Sequence, residues 1–273
     1  MSTRGGAIIR AGLLMALCVA VLPASAAAAG TSAAPEFSLT LQDLRTITAA
    51  LPKTVQDRII GDARPFLNLL SRVLDEPAEY LVLVDKSHPL PAGSVPPDLV
   101  SLAAYPLSVS RGDLLLRKAI MPDVLALSAA ARADGVTLLF SSSYRSYEYQ
   151  KAVYEREVKT YGQQAANRES ARPGTSQHQL GTAVDFGSIT DAFAETKAGR
   201  WLMAHAEEYG FSLSFPKGYE SVTGYRYESW HYRYITKTAA RLQKEYFEDI
   251  QQYLLEFLHD NRAALEAKRL PAR

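Results

Sequence analysis

The stretch Gly135-Val136-Thr137-Leu138-Leu139-Phe140 decides the fold class. A short apolar run containing a β-branched pair behind a glycine suits a buried strand. Helical patterns lie on both sides of it, from about Pro122 to Ala133 and from about Tyr147 to Tyr161. Downstream, Gly181 to Phe186 alternates as a strand does, Glu195 to Tyr209 carries helical periodicity, and Phe211 to Phe215 and Glu228 to Ile235 read as strands. Upstream, Leu81-Val82-Leu83-Val84 is a further strand-like run, followed by an extended loop with Pro89, Pro91, Pro96 and Pro97. Strands and helices mix without the regular βαβ alternation of a parallel sheet. The expected class is therefore α+β, a small mixed sheet flanked by helices.

Both flanks of this region are helical. Thr40-Leu41-Gln42-Asp43 and Thr54-Val55-Gln56-Asp57 have the form of capping boxes, each with a carboxylate three residues after the hydroxyl. Leu41, Leu44, Thr48 and Leu51 share one face of a helix that Pro52 ends, and Phe66, Leu69, Leu70 and Val73 form a stripe after Pro65 and before Pro77. These segments make up a helical N-terminal region over residues 27–78. At the other end Leu242, Tyr246, Ile250, Tyr253, Leu254, Phe257 and Leu258 hold the 3.6-residue period of a long amphipathic helix within residues 236–273, with a frayed tail from Lys268. Residues 79–235 lie between and carry every chemical motif.

The chain has 273 residues, 47% of them apolar and 22% charged, ample for a core and far from the disordered class. Its 30 basic and 29 acidic residues argue against nucleic acid as a partner. Arg4 and Arg10, the apolar run Ala11 to Leu22 and the small-residue site Ala24-Ser25-Ala26 make residues 1–26 a secretory signal peptide. The run is too short for a stable membrane span. Cys18 is the only cysteine and follows Leu17 rather than a small residue, which disfavours lipidation. Cleavage after Ala26 would leave 28 basic residues, 29 acidic ones and no disulfide chemistry, so the expected location is outside the cytoplasm, in the periplasm or cell envelope. Oligomeric state is not legible.

Among the five histidines, His88, His205 and His259 sit in settings typical of surface or packed imidazoles. His178 and His231 differ. His178 lies in Ser176-Gln177-His178-Gln179-Leu180-Gly181-Thr182-Ala183-Val184-Asp185, where small residues permit close approach and Asp185, between Val184 and Phe186, calls for a counter-charge. His231 closes Glu228-Ser229-Trp230-His231. Two imidazoles and one carboxylate form a tripod suited to zinc, with Glu228 left as a base. A regular strand would put Glu228 and His231 on opposite faces, so this reading needs a kink between them.

Three separated motifs then match a known family in order and spacing. Ser142-Ser143-Tyr144-Arg145-Ser146-Tyr147 with Gln150, Pro173-Gly174-Thr175 running on through Ser176 to Asp185, and Thr223-Gly224-Tyr225-Arg226-Tyr227-Glu228-Ser229-Trp230-His231-Tyr232-Arg233-Tyr234 together resemble the VanY/LdcB family of zinc carboxypeptidases, the M15 peptidases. The resemblance extends from about Glu79 to Tyr234 and leaves the flanking helices uncovered. It implies an M15-like fold and an enzyme that removes D-alanine from peptidoglycan stem peptides, D,D- or L,D-specific. It further implies Zn2+ held by His178, Asp185 and His231, with Glu228 as general base. Arg145 would neutralise the substrate carboxylate or the oxyanion, while Gln150 and Ser176 would hydrogen-bond the peptide end. Tyr144 and Trp230 suit packing around the site.

Ser143, Ser229 and Ser214 depart from the residues usual in that family, Gly, Pro and Arg, and Ser214 touches the expected substrate side. Two rival readings remain. A serine penicillin-binding enzyme is suggested only by Ser214-Phe215-Pro216-Lys217, with no K-T-G triplet anywhere. A non-catalytic peptidoglycan-binding or scaffold protein on a peptidase fold would normally have lost a ligand or the base, and none is missing.

Overall fold

The computed structural model describes residues 36–271. The signal-peptide reading and Cys18 lie outside the described residues. In chain order come α1 (Leu41–Ile47), α2 (Lys53–Gly61), α3 (Ala63–Leu74), β1 (Leu99–Ser101), β2 (Ser108–Val109), β3 (Leu115–Arg117), α4 (Met121–Ala133) and β4 (Leu139–Ser142). They are followed by α5 (Tyr147–Tyr161), α6 (Gln163–Glu169), β5 (Ala183–Phe186), α7 (Lys197–His205), β6 (Phe211–Leu213), α8 (Glu220–Thr223), β7 (His231–Tyr234), α9 (Lys237–Tyr246) and α10 (Gln251–Ala267). The main sheet runs β2-β4-β5-β7-β6, parallel only at β2-β4, and β1 pairs with β3 in a separate ribbon. This is the expected mixed sheet among helices.

Two apolar clusters organise the fold. One packs the sheet against α4 and α7, with Val124, Leu127, Phe140, Phe186, Leu202 and Phe211 all buried. The other joins the two chain ends: Leu44, Ile59, Phe66 and Leu70 pack with Ile235, Leu242, Phe247, Leu254 and Phe257. Phe66 sits edge-on to Tyr246 and Phe257 at ring separations of 5.2 and 6.1 Å. The N-terminal helices thus cover the apolar face of the C-terminal ones.

Several boundaries differ from the sequence reading, each for an identifiable reason. The strand expected at Val136 starts at Leu139, because the N–H groups of Gly135 and Val136 return to the carbonyls of Arg132 and Ala131 and close α4 with a Schellman-type cap. Leu81–Val84 forms no strand. The fully buried Arg233 takes the carbonyls of Tyr80 and Val82 at 3.0 and 2.7 Å, leaving them unavailable to a ladder. Thr40 and Asp43 form the capping box, whereas α2 starts two residues early, at Lys53 after the N-cap Pro52, and Lys53 pairs with Asp57. The C-terminal stripe spans two helices: Glu248 and Asp249 have φ of 56° and 59° and break it, while α10 alone supplies the long terminal helix. The tail is tied down through Leu270, whose N–H bonds the carbonyl of Glu36 at 2.9 Å, and through Arg269, which pairs with Asp75.

Candidate metal and catalytic site

Strand register gathers the expected ligands. Asp185 on β5 is paired directly with His231 on β7 and, on its other side, with Ser142 on β4. Opposed residues of antiparallel strands point to the same face, so Asp185 Oδ1 meets His231 Nδ1 at 2.9 Å. His178 arrives from the 3-10 turn Gln177–Leu180 just ahead of β5. Gly181 ends that turn with φ 68°, and a Cβ there would press on Leu99, Arg117 and Pro96 at 3.0–3.2 Å. Its smallness therefore serves packing under the turn and not, as its position beside His178 suggests, approach to a metal.

His178, Asp185 and His231 are buried, and one ligating atom from each lies within 4.8 Å of the others. His178 Nδ1 donates to the carbonyl of Ser143 at 2.7 Å, which leaves the lone pair on Nε2. That atom lies 3.2 Å from Asp185 Oδ2 and has no hydrogen-bond partner. A buried lone pair facing a carboxylate is a contact that a cation resolves. The donor set, two imidazoles and one carboxylate, fits zinc with a coordination position left open. Burial, reinforced by the charge of Arg145, pushes His178 down to about 4, so it is neutral near pH 7. Burial disfavours the Asp185 carboxylate, but the charge that His178 takes up when protonated, together with the neighbouring His231, outweighs that and holds its carboxyl well below the usual range.

The kink required ahead of His231 is present. The His231 N–H returns to the Glu228 carbonyl at 3.2 Å, a turn through Ser229 and Trp230, and β7 begins only at His231. Glu228 Oε2 consequently stands 3.8 Å from His231 Nδ1. Burial, and secondly the charge of Asp185, raises Glu228 to about 8. A carboxyl tuned toward neutrality beside a cation site can move a proton.

Arg145 bridges the site and its wall, donating from Nη1 to Gln150 Oε1 at 3.0 Å and from Nη2 to Asp185 Oδ2 at 3.2 Å. Its buried Nε has no partner. Gln150 is fully engaged, since its amide nitrogen donates to the Ala171 carbonyl at 2.7 Å; it holds Arg145 against the 170–171 loop. Ser176 lines the cleft, which has a volume of about 390 Å³ and also contains Arg145, Glu228 and the three candidate ligands. Trp230 is buried beneath the guanidinium of Arg226, 5.1 Å from the ring centre. Ser214 is not on the substrate side. It is buried, with Oγ donating to Gln177 Oε1 at 2.7 Å.

Sequence reasoning missed the outer wall, where Arg111, Tyr149 and Arg156 border the cleft. Tyr149 and Arg156 belong to the polar helix α5, whose charge pattern reads as a solvated face, and only their seven-residue spacing, two turns on one side, hinted otherwise.

The VanY family profile, described as D-alanyl-D-alanine carboxypeptidase, matches residues 113–237. The Bacillus subtilis putative carboxypeptidase YodJ is 34% identical over 193 residues, 66% of this chain and 71% of that protein. The chain belongs to the VanY family. Two solved relatives share its fold at 33% identity, each aligned over 66% of this chain. The LdcB LD-carboxypeptidase has a TM-score of 0.59 and 86% of its chain aligned. A variant of the vancomycin-resistance D,D-pentapeptidase VanY, solved with Zn(II), has a TM-score of 0.54 and 99% aligned. VanY-family relatives thus include both D,D and L,D enzymes, and membership supports a peptidase in cell-wall chemistry. No helix among the described residues is long and apolar enough to cross a membrane.

Proposed function

We infer that this VanY-family chain is a zinc-dependent carboxypeptidase, exported to the periplasm or cell envelope, that removes the C-terminal D-alanine from peptidoglycan stem peptides. The observation that carries this reading is the unpartnered Nε2 of His178 facing Asp185 beside His231, with Glu228 3.8 Å from that imidazole. His178, Asp185 and His231 would hold the ion. Bound there, zinc supplies Lewis acidity, polarising the scissile carbonyl and acidifying water.

The chain's own groups do the rest. Glu228 takes a proton from the attacking water and returns it to the leaving amine. Arg145, fixed by Gln150 and with Nε unspent, meets the negative charge of the peptide's terminal carboxylate or of the developing oxyanion. Ser176 lies within the cleft to orient the peptide end. The intact set of ligands, base and arginine disfavours a purely binding role on a peptidase fold.

Mass spectrometry of purified muropeptides after incubation with the zinc-loaded chain tests this reading. Loss of one alanine is expected, from pentapeptide for D,D activity or from tetrapeptide for L,D activity. No mass loss from either would overturn it. His178→Ala should lose zinc and activity together.

A further inference from the structure

We propose that Gln251, the first residue of α10, is a positioning residue for the metal centre: acting through Gln177, it keeps the proton of His231 on Nε2 so that Nδ1 is bare toward Asp185. This rests on the reading that His178, Asp185 and His231 hold zinc. Gln251 lies beyond residues 113–237, the stretch matched by the family profile.

The chain of hydrogen bonds is directional. Gln251 Nε2 faces the main-chain carbonyl of Ser212 at 3.4 Å, and a carbonyl can only accept. Gln251 must therefore turn Oε1 toward Gln177, whose Nε2 donates to it at 3.2 Å. That leaves Gln177 Oε1 facing His231 Nε2 at 3.2 Å, where an acceptor requires N–H from the imidazole. Ser214 strengthens the same orientation by donating to Gln177 Oε1 at 2.7 Å. Gln177 and His231 border the cleft, but Gln251 and Ser214 are buried behind them and do not line it, so water does not substitute for those two partners.

The relay opposes an alternative that would block the site. His231 Nδ1 is 2.9 Å from Asp185 Oδ1, and a carboxylate at that distance attracts a proton onto Nδ1. An imidazole protonated there cannot ligate a cation alongside Asp185. An amide with its oxygen locked toward Nε2 raises the cost of that tautomer. Without Gln251, Gln177 could flip and present NH₂ to Nε2, and the obstructive tautomer would become accessible.

Gln243 makes a parallel bridge from the same strand: its Oε1 accepts from Ser212 Oγ at 2.7 Å, and its Nε2 donates to the Asp249 carbonyl at 2.9 Å. It is as buried as Gln251 but does not touch His231 or Gln177. Gln243→Met is thus a control for lost buried polar packing.

The test uses the full chain with ¹⁵N-labelled histidine, stripped of metal, and reads the His231 tautomer by long-range ¹H–¹⁵N correlation and zinc affinity by chelator competition. The wild type should show Nε2–H at His231. Gln251→Met should shift the population toward Nδ1–H and weaken zinc binding by roughly tenfold to a hundredfold, the usual size of outer-partner effects. Gln251→Glu keeps an acceptor facing Gln177 in either protonation state and should restore both readouts. Gln243→Met should leave both at wild-type values. Nδ1–H in the metal-free wild type overturns the proposal whether or not any variant folds, and so does unchanged zinc affinity in a folded Gln251→Met. A wild type that binds no zinc at all, with Nε2–H at His231, would instead count against the metal reading while leaving the tautomer assignment supported.

Discussion

Glu228 reaches to 3.8 Å from the Nδ1 of His231 because the two residues are the ends of one turn, whose closing hydrogen bond runs from the His231 N–H to the Glu228 carbonyl at 3.2 Å. A ligand and a base are set side by side by three peptide links of main chain. Replacing Glu228 by Gln keeps the volume and the turn but removes the proton carrier. Glu228→Gln should retain zinc and lose kcat by roughly a hundredfold to ten-thousandfold. Normal zinc content with near-normal kcat would take the base role away from this residue.

Arg145 spends its two terminal nitrogens on Gln150 and Asp185, so its geometry is set before substrate arrives. Lysine retains the charge but cannot span both partners. Arg145→Lys should raise KM for peptides with a free C-terminal carboxylate by about tenfold to a hundredfold, equivalent to one charge-assisted hydrogen bond. Amidated or cross-linked peptides should be poor substrates of the wild type. Equal rates on free and amidated peptides would show that Arg145 does not read the carboxylate.

How much of this could be read from sequence depends on how local each cause is. His178 and Asp185 sit in one ten-residue motif and Glu228 and His231 in another, and the needed kink between the latter pair could be deduced from strand geometry alone. The strand misread at Leu81–Val84 failed for a non-local reason: Arg233, some 150 positions away, claims the carbonyls of Tyr80 and Val82. Apolar stripes on α3 and α10 announced that faces were buried, yet periodicity does not say against what, and the shared cluster of Phe66 with Tyr246 and Phe257 was invisible. Gln251 was hidden for a related reason. A glutamine at the start of an amphipathic helix reads as solvated until its partner, 74 positions earlier, is known.

Gly181, which closes the turn carrying His178, offers a stability test. Its φ of 68° is one that a side chain adopts at a cost, and an added Cβ would contact Leu99, Arg117 and Pro96 at 3.0–3.2 Å. Gly181→Ala should destabilise the chain by about 1–3 kcal/mol, the usual cost of a forced left-handed residue. Urea unfolding of the two proteins measures it. An unchanged midpoint would mean that the turn and the 96–117 segment relax freely around the new methyl group.

The opposed shifts of Glu228 and His178 predict a distinctive pH dependence for the metal-free chain. Glu228 rises on folding from 4.5 to about 8, chiefly through burial. Between those values the folded chain holds a proton that the unfolded chain has released, so its contribution to stability falls as pH climbs. His178 is lowered by burial from 6.5 to about 4, and over that window the unfolded chain binds the extra proton, so its contribution rises with pH. The two oppose each other up to about pH 6.5, and above it only Glu228 continues to act. Stability of the chelator-treated wild type should therefore decline between about pH 6.5 and 8, by at most roughly 1.4 kcal/mol per pH unit. Glu228→Gln cannot ionise, so subtracting its urea-unfolding free energies from those of the wild type isolates this one group. The difference should grow in the variant's favour across that interval; a difference that stays flat would mean that the Glu228 carboxyl is already ionised in the folded chain at pH 6.5.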